Sequence, residues 1–124
     1  IISARLPDGH PVRLFMARVS ALNLIDLGEK TAGLSMLKSN YERFAEKVAP
    51  TELRLIAWQK DIADQAYSDG RIAEAASFYE KAIHGLQERA RERRSDAIVS
   101  NREWKQQRAI YLGMISTAAR QASL

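Results

Sequence analysis

The chain has no cysteine, which excludes a disulfide framework, a thiolate nucleophile and any sulfur-ligated metal. No apolar run approaches the roughly 20 residues that cross a bilayer, so no membrane insertion is expected. Its six glycines are not clustered, and no phosphate-cradling loop can be drawn from them. The only histidines, His10 and His84, lie far apart in the chain, and a metal site needs more ligands than either offers with cysteine absent, so neither a metal nor another cofactor is expected. Valine and threonine are scarce, while alanine and leucine dominate the apolar set. Unbranched side chains favour helices and β-branched ones favour strands, so this bias points to an all-α chain.

What is present suits a globular protein. Of 124 residues, 46% are hydrophobic and 27% charged, a balance that supports a packed core. The length suits a single domain, 1–124. Residues 1–11 (IISARLPDGHP) hold two prolines and a Pro-Asp-Gly turn, an irregular lead-in. From Val12, Leu14, Phe15, Val19, Leu22 and Ile25 recur at helical spacing until Gly28, a helix stop. A second helix over 29–48 carries Leu34, Leu37, Tyr41, Phe44 and Val48, and Ala49-Pro50 breaks it. Thr51 is placed to cap a third helix, 52–68, that buries Leu55, Trp58, Ile62 and Ala66. After Asp69-Gly70 a fourth helix runs to about residue 94 through Ile72, Ala75, Tyr79, Ala82, Ile83, Leu86 and Ala90. Ser100-Asn101-Arg102-Glu103 reads as a capping box for a last helix, 101–121. There Trp104, Ala109, Ile110 or Tyr111, Met114 and Ala118 are the candidates for burial.

The glycine turns lie 42 residues apart, and that shift aligns more than glycines. Ala21 falls on Ala63, Gly33 on Ala75, Leu37 on Tyr79, Tyr41 on Ile83 and Phe44 on Leu86. Such an echo predicts two stacked antiparallel helical hairpins, 12–48 and 52–94, followed by a closing helix. The stretch Ala63-x-x-Ala66-Tyr67-x-x-Gly70-x-x-x-Glu74-Ala75-x-x-x-Tyr79-x-Lys81-Ala82-Ile83 resembles the tetratricopeptide repeat. Gly70, and Gly28 before it, would be the turns; Ala63, Ala75 and Ala82 would let helices approach, and Tyr79 would fill the space between. The period of 42 exceeds that family's usual 34, and Gly33 and Asn40 stand in the first hairpin where alanines are expected. Gly70-x-x-x-Glu74-Ala75-x-x-x-Tyr79-x-x-Ala82-Ile83 is also similar to microtubule-interacting-and-trafficking domains, three-helix modules that would cover 55–121 and leave 12–48 unexplained.

The tetratricopeptide resemblance implies a groove lined by the first helix of each hairpin. Its register puts Arg18, Leu22 and Ile25 in correspondence with Lys60, Asp64 and Tyr67. These six are the expected contacts for a helical or extended segment of a partner protein, with the bases gripping acids and Tyr67 as an apolar anchor. Leu22 and Asp64 stand where the family's carboxylate clamp needs asparagine, so capture of a C-terminal carboxylate is not expected. Self-association is a further possibility for so small a surface.

Residues 88–108 hold seven bases against four acids, which leaves +3 of the net +4 in one stretch. This is the basis of the alternative reading, a nucleic-acid-associated or regulatory domain. The interleaved glutamates of its run 88–94 instead suit pairing along a solvated helix, and that run holds no aromatic for stacking. Glu42, Glu46, Glu74 and Glu80 fall on helix surfaces, where ionised carboxylates are ordinary, so no enzyme is expected. The absence of cysteine favours the cytoplasm without excluding the periplasm. The first residue, Ile1, suggests a chain cut from a longer one.

Overall fold

The computed structural model describes residues 9–93 and 101–123 and is all-α. Its helices are α1 (Pro11–Asp26), α2 (Lys30–Ala45), α3 (Leu53–Ser68), α4 (Ile72–Arg93) and α5 (Asn101–Ser123), with no strand among the described residues. They form two antiparallel hairpins, α1–α2 and α3–α4, and a closing helix. The chain divides into two compact units, Ile1–Ala49 and Pro50–Leu124, at the Ala49-Pro50 break.

In the first unit, α1 starts where the sequence can pay for exposed backbone. Pro11 has no N–H to lose, and the His10 side chain accepts the Val12 N–H at 3.1 Å. It stops at Gly28, whose φ is +93°. Gly28 N–H donates to the Ile25 carbonyl at 3.1 Å and Glu29 N–H to Leu24 at 2.9 Å, the paired bonds of a Schellman motif. Leu14, Ala21, Leu37, Tyr41 and Phe44 are buried between α1 and α2, with the Phe15 and Phe44 rings 6.2 Å apart. The helices approach closely at Gly33. A Cβ there would lie 2.7 Å from Ile25 Cγ1 and 2.8 Å from the Ala21 carbonyl, so glycine in place of alanine is what this crossing requires. Val19, expected in the core stripe, is exposed because Leu14 and Ala21 take the inward positions. The second helix also ends at Ala45, short of the expected residue 48, in a turn that prepares for Pro50.

The second unit repeats the turn. Gly70, at φ +79°, donates to Tyr67 at 3.1 Å, and Arg71 N–H donates to Ala66 at 2.8 Å. The N-cap of α3 is Glu52 rather than Thr51; its carboxylate accepts from the Arg54 N–H at 3.4 Å and Nε at 3.0 Å. Burial raises the Glu52 carboxyl's pKa, but these Arg54 bonds outweigh it and leave it below its ordinary value. The core is Ile56, Ala63, Ala66, Ala75, Tyr79, Ala82, Leu86 and Ile110. Four alanines keep α3 and α4 close, and Gly85 continues the approach, since a Cβ there would sit 2.7 Å from the Pro50 carbonyl. Trp58 and Ile62 are also fully buried on α3, whereas Ala90 near the end of α4 is exposed.

The closing helix packs chiefly on α4, with Ile110 buried and Met114 against the core as expected, but two other expected core residues do not join them. Trp104 and Ala118 face outward, and Glu103, Ile110 and Thr117 face inward at intervals of seven. Two of those three inward residues are polar, and each is satisfied. Glu103 accepts from Arg89 Nε at 2.7 Å, and the Thr117 hydroxyl donates to the Gly113 carbonyl at 2.8 Å. Glu103 thus holds α5 to α4 instead of serving only its own helix start; Ser100, its partner in the expected capping box, lies outside the described residues.

Candidate partner-binding faces

The six expected groove residues fall three on α1 and three on α3. Leu22 and Ile25 are partly buried, and Ile25 is committed to the Gly33 contact. Arg18 lies over the Phe15 ring, 5.0 Å from its centroid. On α3, Lys60 Nζ donates to Asp64 Oδ2 at 2.6 Å, and the Tyr79 hydroxyl donates to Asp64 Oδ1. Burial, then the bond to Asp64 and its negative charge, raise the Tyr79 phenol above its ordinary value. Asp64 therefore bridges α3 and α4, and Tyr67 lies half-buried under the Arg120 guanidinium, 5.2 Å from the ring centroid. All three α3 candidates make contacts inside their own unit.

Two bases of the basic stretch are similarly occupied. Arg89 spans Glu103 and, through Nη1 at 3.1 Å, the Thr51 carbonyl, so it ties the start of α3 to α4 and α5. Arg91 donates to Glu88 at 2.6 Å one turn away. His10 is a cap, and His84 is exposed. Among the described residues no group of three or more His, Asp or Glu could hold a metal ion. None of their helices is long and apolar enough to cross a membrane.

Two faces that the sequence reading missed carry the exposed large apolar side chains. One is on α1, where Val12, Met16 and Val19 recur in steps of four and three, with Leu27 at the helix end. Beside it is an open groove of about 480 Å³ lined by Arg13, Met16, Ala17, Val19, Ser20 and Met36. The other is on α5: Trp104 (59% exposed), Tyr111, Leu112 and Ile115 (64%). No family model, curated protein or solved structure matches the chain. These faces therefore have to be read from their own chemistry.

The α5 face mixes two kinds of group. Trp104, Arg108, Tyr111 and Ile115 follow one another at i, i+4, i+7 and i+11, along one side of the helix. Lys105 and Arg108 are both exposed. The only acid of α5, Glu103, is 5% exposed and turned to Arg89. Every charge that α5 presents outward is positive.

Proposed function

We propose that this chain is a non-catalytic protein-interaction module that holds a helical or extended segment of a partner protein. The observation that carries this reading is the segregation of exposed apolar side chains onto α1 and α5. Large apolar groups left in water at helical spacing are the usual mark of a contact surface. The paired Schellman turns 42 residues apart support the tetratricopeptide-like reading of the two hairpins. The compactness of the three helices α3–α5 as one unit supports the microtubule-interacting-and-trafficking-like reading of residues 55–121. Both lead to binding of protein segments rather than to chemistry. The internal engagement of Lys60, Asp64 and Tyr67 shifts the weight of the proposal from α3 to α1 and α5.

Photo-cross-linking residues at positions 16 and 115, used in turn, test this reading in a cell extract. A protein captured at either position is then purified and bound directly. Its affinity should fall with Met16→Glu or Ile115→Glu while helicity is unchanged. Capture of no protein at either position, or direct binding indifferent to both substitutions, removes the reading. A nucleic-acid role for 89–108 would instead show affinity that falls steeply with added salt. The use of Arg89 and Arg91 in internal pairs weighs against it.

A further inference from the structure

We infer that the outward face of α5, built on Trp104, Arg108, Tyr111 and Ile115, docks an amphipathic helical segment of another protein that carries an acidic side chain between large apolar ones. The inference rests on the protein-interaction reading and names the partner's chemistry. It follows from where the charge sits. With Glu103 drawn inward by Arg89, the face has a cation at its middle, apolar groups one turn to either side, and no acid of its own. A complementary surface must bring a carboxylate to Arg108 and apolar groups to Trp104 and Ile115. A carboxylate meeting a guanidinium beside apolar groups that exclude water is the stronger kind of hydrogen bond.

Size and sign separate this occupant from two others. From Trp104 to Ile115 the face is about 17 Å long and a helix about 10 Å wide, so it offers on the order of 200 Å². A stable dimer takes about 800 Å² from each partner. A second copy would also bring Lys105 and Arg108 against their own like, with no acid to meet them. Helices that lie in a lipid surface keep their charges on the face opposite the apolar one. Here the opposite face is packed on α4, and Arg108 stands within the apolar stripe, where insertion would drag it toward the acyl chains. A single helical segment with an acid at its centre meets each condition.

The test uses the full chain and three synthetic helical peptides that share one leucine stripe and place Glu, Gln or Lys between the leucines. Trp104 reports occupancy, since its emission should shift to the blue and become shielded from acrylamide when covered, whereas Trp58 is buried already. The Glu peptide should bind about tenfold tighter than the Lys peptide, an advantage that added salt reduces. Arg108→Glu should reverse that order, and Ile115→Lys should abolish binding of all three. No binding, equal binding of the Glu and Lys peptides, or an Arg108→Glu variant that keeps the original order each overturns the inference. If Met16→Lys on α1 removes peptide binding and Ile115→Lys does not, α5 is the wrong face while the protein-interaction reading stands. If vesicles of phosphatidylserine shift Trp104 and the peptides do not, the face is a lipid contact. If the chain sediments as a dimer that Ile115→Lys dissociates, the face is a self-contact. Either of these last two results overturns it as well.

Discussion

Gly28 and Gly70 stand at φ +93° and +79°, and a Cβ on either would meet nothing within 4 Å. Both positions are therefore governed by backbone conformation and not by room. Gly70→Ala should cost about 1–2 kcal/mol, the penalty of the left-handed region for an L-residue. Gly70→Val should cost more, and Gly70→Asn should recover part of the loss, because asparagine tolerates that region. Chemical denaturation of the three variants checks the order; an alanine variant as stable as the parent would show that the turn does not need positive φ. At Tyr79 the prediction concerns pH. Its folded pKa is raised by burial first and then by the bond to Asp64, so the neutral phenol's contribution is fully present below its ordinary value of about 10 and is lost as pH rises through the folded value. Asp64 and Tyr67 act on that hydroxyl and Lys60 pairs with Asp64, so the control must leave all three in place. Stability above pH 10 should fall more steeply for the parent than for Tyr79→Phe. Parallel slopes would remove the Tyr79–Asp64 bond from the account.

At the scale of the helix, spacing placed all five elements within a few residues and located both turns. It identified Trp58, Ala66, Ala75, Tyr79 and Ala82 as buried, because there the apolar stripe and the packed face coincide. On α5 they do not. That helix has two faces with apolar groups, and hydrophobicity favours the one holding Trp104 and Ile115. The face that packs is chosen by Arg89, which takes Glu103 with it, and by Thr117, which satisfies itself within the helix. A contact 14 residues distant is invisible to a 3.6-residue period, and for that reason spacing expects Trp104 in the core and does not expect Glu103 there. The same limit applies to Asp64, whose bond to Tyr79 comes from a neighbouring helix, although its pair with Lys60 lies one turn away on α3. Two substitutions one residue apart should therefore behave oppositely. Trp104→Gln should leave stability within about 0.5 kcal/mol of the parent, as exposed positions do. Glu103→Ala should cost about 2 kcal/mol, less than a wholly buried pair because Arg89 keeps some solvent and its bond to Thr51. Thermal melts distinguish them, and equal losses would mean that α5 packs by its apolar face after all.

For the whole molecule, the division at Ala49-Pro50 makes residues 50–124 a unit with a core of its own. Seventy-five residues bury only about 60% of their unfolded surface, so such a unit is marginal and each tie counts. Arg89 is the tie that reaches furthest, since it joins Thr51 before α3 to Glu103 on α5. A fragment of residues 50–124 should then keep its helical circular dichroism and unfold in one cooperative step. In that fragment Glu103→Ala should do more than lower the midpoint: it should broaden the transition, as α5 is released before the α3–α4 hairpin melts. The hairpin alone retains its alanine crossing and its Gly70 turn, so helicity should fall in two steps rather than vanish. A fragment that is unfolded from the outset would show that the boundary at Pro50 separates contacts without separating stability. A single sharp step in the Glu103→Ala fragment would show that apolar packing of Ile110, with Gly113 against the Tyr79 ring, holds α5 without the ion pair.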